Sequence, residues 1–88
     1  MEQRIFWTRI RNEVSVLKYG DAWNMLKELR EIQRDNMSSD AIFVIFRHEP
    51  NGDYLLRAVG DYAKYQNFKQ VVEQKYPDLC EFNVEVDG

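Results

Sequence analysis

The 88-residue sequence has little cysteine, histidine, proline and glycine: one, one, two and four residues respectively. A single cysteine, Cys80, cannot form a disulfide within the chain, so we expect a cytoplasmic protein in a reducing environment. With one histidine, His48, the sequence lacks the cysteine and histidine pairs that hold zinc. The glycines occur singly, which excludes a glycine-rich phosphate-binding loop.

Long apolar runs and an excess of basic residues are also lacking. Residues 41–46 form the longest apolar run, which is too short to cross a membrane. Residues 1–4 contain charged and polar side chains rather than the apolar segment of a secretory signal. The net charge is −3, which argues against direct binding to nucleic acid. We therefore expect neither a membrane nor a nucleic acid as the direct partner.

No catalytic arrangement can be read from the residue spacing. A catalytic nucleophile needs a base beside it and a group that orients the base. His48 lies in a turn beside Glu49, and Cys80 lies in an apolar strand pattern that favours a buried thiol. The carboxylates near turns lack the spacing of a calcium-binding loop. The sequence therefore predicts a protein that is not an enzyme, with no catalytic residue, cofactor or metal.

The sequence predicts a β-hairpin from residue 41 to residue 59. Residues 41–46 are apolar and rich in β-branched and aromatic side chains, and residues 54–59 form a second strand-like run. Asn51 and Gly52 in the turn between them tolerate a positive φ. Both faces of the first strand are apolar, with Phe43 and Ile45 on one of them, so we expect a central strand that is covered on both sides.

Helices are predicted after Gly20-Asp21 and after Gly60-Asp61. Asp21 is a favourable N-cap, and the apolar residues that follow it recur at helical spacing, namely Ala22, Met25, Leu26, Leu29 and Ile32. The second helix carries Tyr65, Phe68 and Val72 on one face and ends before Pro77.

The remaining segments are interpreted as strands. Residues 5–10 form the first, and residues 14–19 form a second strand after a tight turn, or else residues 4–18 form one bent strand. The last strand, residues 79–86, alternates apolar and polar side chains. The fold class is therefore α+β: one domain, residues 1–88, with a mainly antiparallel sheet of four or five strands and two helices on one face. The order is β-β-α-β-β-α-β or the ferredoxin-like β-α-β-β-α-β.

Charge is unevenly distributed between the two ends of the chain. Residues 1–18 contain four basic and two acidic side chains, whereas residues 77–88 contain four acidic and no basic ones. If the first and last strands are neighbours, these charges form cross-strand pairs, which is the arrangement we favour. If they are not, the last strand presents an acidic edge to a basic partner.

These observations favour a small acidic protein-binding module that acts as an inhibitor, adaptor or regulatory subunit. An inhibitor of a nucleic-acid-handling or defence complex, of the type that phages encode, is one form of this hypothesis. The candidate partner surface, for a protein or for a second copy in a homodimer, consists of Trp7, Phe43, Ile45, Tyr54, Glu81, Glu85 and Asp87.

A dimeric small-ligand sensor is the alternative hypothesis. Regulatory ACT domains share the ferredoxin-like order and bind ligands where the first strand meets the first helix. Gly20-Asp21 lies at the corresponding junction, and Gly60-Asp61 lies at the second one.

Overall fold

An antiparallel sheet organises the computed structural model, which describes residues 4–37 and 46–86. Its strands in the described residues are β1 (Arg4–Ile10), β2 (Phe46–His48), β3 (Tyr54–Gly60) and β4 (Cys80–Phe82). They lie in the order β2-β3-β1-β4, and each strand is antiparallel to its neighbours. The α+β class and the single domain with a four-stranded antiparallel sheet are as the sequence predicts.

The helices of the described residues follow β1 and β3. They are α1 (Asn12–Val14), α2 (Ala22–Asn36) and α3 (Tyr62–Lys75), and a π-helical turn (Ser15–Tyr19) continues from α1. Asp21 caps α2 as predicted, since it accepts a hydrogen bond from the amide of Trp23, and Asp61 caps α3 by accepting one from the amide of Lys64. None of the described helices is long and apolar enough to cross a membrane.

Helices α2 and α3 pack on one face of the sheet, because alternate residues of the central strands are apolar. Phe6 and Ile10 of β1 and Leu56 and Ala58 of β3 point to that side and join the helices in one core. The largest buried ring is that of Tyr65 in α3, which stacks on Phe6 with ring centroids 4.3 Å apart.

Residues 14–19 are helical, so their prediction as a strand is wrong, and so is the single bent strand beyond Ile10. The amide of Arg11 pairs with the carbonyl of Leu79, and from Ser15 onward the chain makes local helical hydrogen bonds instead of sheet bonds. The prediction relied on the alternation of Val14 and Val16, which is typical of a strand with one buried face. Val16 is exposed in the structure. The described element order is that of the β-α-β-β-α-β alternative with an additional helical segment after β1.

The described part of β2 lies at an edge of the sheet and not at its centre. Strand β1 pairs with both β3 and β4 and thereby takes the central place beside β3. Phe46, Arg47 and His48 are all exposed. The prediction for residues 41–45 lies outside the described residues.

Strand β4 is shorter than the predicted residues 79–86. Asn83 has a φ of 58° and interrupts the ladder after Phe82. The chain then stays beside β1, since the amide of Val84 donates to the carbonyl of Trp7 at 3.0 Å.

Candidate partner-binding surface

The face of the sheet opposite α2 and α3 is here called the open face. The strand register places the following side chains on it: Ile5, Trp7, Arg9, Arg47, Leu55, Arg57, Val59 and Glu81. Trp7 lies directly opposite Arg57, and Ile5 lies opposite Val59. Side chains opposite each other on antiparallel strands have Cβ atoms about 5 Å apart, so these residues form a continuous surface.

Leu55 forms the floor of the open face. It is 1 % exposed, yet it does not belong to the core cluster on the helical side of the sheet. Its cross-strand neighbours are Arg9 on one side and Arg47 on the other. The aliphatic stems of arginine can cover apolar surface while the guanidinium group stays in water, which explains how Leu55 is buried on this side.

One end of the open face is occupied by charges that neutralise one another. Arg9 Nη1 lies 3.3 Å from Glu81 Oε2, and Arg9 Nε lies 3.9 Å from Asp53 Oδ2. Arg11 Nε is 3.4 Å from Glu81 Oε1, although without hydrogen-bond geometry. These part-exposed pairs contribute little stability. They confirm the predicted cross-strand pairing of the first and last strands.

Arg47 and Arg57 differ from Arg9, because neither forms an ion pair with any described residue. Arg47 lies opposite Leu55, and Arg57 is two residues farther along the same strand. Such diagonal neighbours are about 7–8 Å apart. The two arginines are therefore diagonal neighbours on the open face, and Arg57 lies opposite Trp7.

A second group of exposed rings, here called the aromatic edge, lies on the helical side of β2. Trp23 at the start of α2 contacts Phe46 with ring centroids 5.6 Å apart, and both contact the ring of Tyr54. His48 stacks on Tyr54 at 4.3 Å. Trp23 is 40 % exposed and Phe46 is 37 % exposed.

The structure separates the residues that the sequence grouped as one partner surface. Trp7 lies on the open face, whereas Tyr54 is buried beneath the aromatic edge on the other face. Glu81 is held by Arg9 and Arg11, and Glu85 is exposed. The remaining candidates, Phe43, Ile45 and Asp87, lie outside the described residues.

Arg47 and Arg57 were missed at the sequence level. A signal for Arg57 exists, since it is the one charged residue in the apolar run of residues 54–59. Period-two alternation places it on the same face as Leu55 and Val59. Its position opposite Trp7 depends on the pairing of β1 with β3, which no local pattern specifies.

In the described part of the chain, two open depressions of about 480 Å³ and 350 Å³ lie beside the paired charges. Both are lined by Asn51, Asp53 and Glu81. Asp53 already accepts a hydrogen bond from the amide of Asn12 at 2.8 Å and one from the side chain of Asn51. Asp53 and Glu81 in these depressions therefore already have partners within the chain.

Reactive groups are not assembled within the described residues. No cluster of three potential metal ligands occurs there. Burial raises the pKa of the Cys80 thiol above its usual value, which favours the protonated form over the nucleophilic thiolate. The chain matches no known family model, no curated protein and no solved structure.

Proposed function

We propose that this protein is a small cytoplasmic protein-binding module that acts by occupying a partner's surface, as an inhibitor, adaptor or regulatory subunit. The observation that supports this most directly is the open face, where Trp7 and the 58 % exposed Ile5 lie on the central strand β1. A sheet face that its own helices leave uncovered, with apolar side chains on it, is typical of an interaction site.

The residue types on the open face suit this role. Tryptophan and arginine are enriched among the residues whose truncation costs most binding energy in protein interfaces. Trp7, Arg47 and Arg57 supply them on a sheet whose central strands pair along seven residues. A preorganised surface loses little conformational entropy when it binds.

Inhibition of a nucleic-acid-handling or defence complex, of the type that phages encode, is a narrower form of the proposal. The version that relies on an acidic edge is weakened by the ion pairs of Glu81. Among the described carboxylates of that edge, Glu85 stays exposed and without an ion pair. An inhibitor would therefore act mainly through the open face.

The proposal is tested by capturing partners from a lysate of the source cells on immobilised protein. The Trp7→Ala variant removes the central ring of the open face. The Trp23→Ala variant is the matched control, because it removes the same side chain from the aromatic edge. We expect a specific protein that binds the wild type and the Trp23→Ala variant, with binding to Trp7→Ala weakened about tenfold or more.

Thermal unfolding of both variants shows whether each is folded before binding is compared. If the folded Trp7→Ala variant retains the partner as well as the wild type does, the open face is not the binding surface. If only the Trp23→Ala variant fails to retain the partner, the aromatic edge is the binding surface.

A dimeric small-ligand sensor is the second candidate. The 480 Å³ depression is within the size range of small-molecule sites, which favours a ligand there instead of at Gly20-Asp21 or Gly60-Asp61. A ligand that binds the folded state raises its thermal stability. A screen of metabolites by thermal shift that yields no stabilising compound would count against this candidate.

A further inference from the structure

We propose that the partner segment that binds the open face is acidic, and that it places a carboxylate between Arg47 and Arg57 beside Trp7. This inference rests on the proposed function and specifies the chemistry of the partner. It reverses the expectation from net charge, since an acidic protein would then bind an acidic partner through a basic patch.

The first argument is the unbalanced charge at Arg47 and Arg57. Arg9, Arg47 and Arg57 lie on the open face, and two carboxylates beside them, those of Glu81 and Asp53, both pair with Arg9. Arg9 is neutralised by Glu81 and Asp53. The other two arginines repel each other in the free protein, and an incoming carboxylate would relieve that repulsion.

The second argument is the apolar surface around these charges. Ile5 and Val59 lie on one side of the Trp7–Arg57 pair, and Leu55 lies on the other. A partner segment that fits this arrangement carries apolar side chains next to its carboxylates. Tryptophan also stacks with arginine or packs against an aliphatic side chain, which gives such a segment a defined place on the sheet.

Nucleic acid fits the open face less well than an acidic protein segment. The chain carries a net charge of −3, which repels a long polyanion, whereas a short acidic segment brings few charges. Single-stranded nucleic acid stacks its successive bases on several aromatic rings. Trp7 is the one ring that the described residues place on this face.

A second copy of this chain in a two-fold dimer is also disfavoured. A two-fold axis places the same patch of both subunits in contact. If the axis passes near Arg47 and Arg57, these side chains lie close to their own copies, and like charges across an interface oppose association.

The test is a selection of binders from a random 12-residue peptide library displayed on phage, with the full-length protein immobilised. Enriched peptides are synthesised and their affinity is measured for the wild type, for Trp7→Ala and for the Arg47→Glu/Arg57→Glu double variant. The Lys27→Glu/Lys64→Glu double variant is the matched control, because it makes the same charge change at two exposed helical positions.

We expect the enriched peptides to be acidic with interspersed apolar residues. Their affinity should fall about tenfold or more in Arg47→Glu/Arg57→Glu and in Trp7→Ala, and change little in Lys27→Glu/Lys64→Glu. Amide chemical shifts of labelled protein should change on β1 and β3 when the peptide is added.

Two failures can be distinguished. Peptides that bind the open face but are not acidic would overturn the inference and leave the proposed function intact. Peptides that bind equally well to wild type, Trp7→Ala and Arg47→Glu/Arg57→Glu would remove the open face as a binding surface and so overturn both. An oligothymidylate could also bind more tightly than any acidic peptide and lose this binding in Arg47→Glu/Arg57→Glu. That result would overturn the inference in favour of nucleic acid.

Discussion

The hydroxyl of Tyr65 joins three parts of the fold at one buried point. It lies 2.7 Å from Thr8 Oγ1, accepts a hydrogen bond from the amide of Asn83 at 3.2 Å, and reaches the carbonyl of Trp7 at 3.4 Å. Helix α3 is thereby connected to β1 and to the chain just after β4. Trp7 belongs to this network through its backbone, so the same contacts hold the centre of the open face in place.

We predict that Tyr65→Phe lowers the free energy of unfolding by about 1–3 kcal/mol, because Thr8 Oγ1 and the Asn83 amide lose a buried partner. Urea unfolding followed by circular dichroism measures the change. Tyr62→Phe is the control, since Tyr62 is 54 % exposed and the loss of its hydroxyl, which accepts an exposed hydrogen bond from Gln66, should cost less than about 0.5 kcal/mol. Equal effects of the two variants would contradict the structural role of the Tyr65 hydroxyl.

The pH dependence of stability provides a second measurement on the same variant. Burial raises the pKa of Tyr65 above the value of about 10 that it has in the unfolded chain. The folded state therefore holds this proton more tightly. The resulting stability is fully present below pH 10 and is lost as the pH rises through the folded pKa. Tyr65→Phe should lose less stability than the wild type over that range.

Among the elements, the π-helical turn over Ser15–Tyr19 depends on the residue that ends it. The Gly20 amide donates to the carbonyl of Ser15 at 2.6 Å, and the buried Ser15 hydroxyl donates to the carbonyl of Gly20 at 2.7 Å. These bonds close the turn with Gly20 at φ 98° and ψ −149°. Glycine adopts this conformation readily, whereas L-residues rarely do.

We predict that Gly20→Ala destabilises the fold by about 1–3 kcal/mol through backbone strain alone. A Cβ at this position meets no atom within 4 Å, so steric contact contributes nothing. The matched control is chemically synthesised protein with D-alanine at position 20, for which this conformation is allowed. Thermal unfolding should show a loss of stability with L-alanine and none with D-alanine. A similar loss with both enantiomers would mean that the strain argument is wrong.

The elements that the sequence predicted are those with local signals. Asp21 and Asp61 as caps and the apolar spacing of α2 and α3 define the helices within a few residues, because capping and amphipathicity act over one or two turns. The segment after Ile10 gave a misleading signal. Its valines alternate as in a strand, but β1 has no partner strand beyond Ile10, and the chain satisfies its backbone locally.

Part of the candidate site was also predictable, because that part depends on local sequence signals. Trp7 was named from the sequence, and the pairing of Arg9 with Glu81 follows from charge once the first and last strands are neighbours. Arg57 could be placed on the face of Leu55 by alternation alone. Its position opposite Trp7 depends on a register between residues 50 positions apart, and hydrophobic pattern specifies such a register only after the whole sheet is assembled.

At the scale of the whole molecule, charge is unevenly distributed. Arg47 and Arg57 form a basic patch on the open face, whereas the chain as a whole carries a net charge of −3. Charged groups at the rim of an interface mainly affect the association rate and the choice of partner. This distribution of charge would orient the protein toward an acidic partner before contact. It would also oppose association of two copies through their open faces.

We predict that the protein is a monomer in solution at concentrations up to about 100 μM, where weak self-association with a Kd near 1 mM stays undetected. The reason is electrostatic: a two-fold dimer whose axis passes near Arg47, through the open face or through the edge of β2, would place Arg47 against its own copy. Light scattering behind a sizing column, repeated at about 50 mM and 500 mM salt, measures the mass.

A dimer that forms only at high salt would show that screening removes this repulsion and that the apolar side chains, Ile5 and Trp7, can then associate. A dimer already stable at low salt would contradict the prediction and would favour the sensor alternative, which requires a dimer. The Arg47→Glu variant distinguishes the surfaces in that case. A dimer that persists unchanged in this variant uses neither the open face nor the β2 edge, and both surfaces then remain free for a partner.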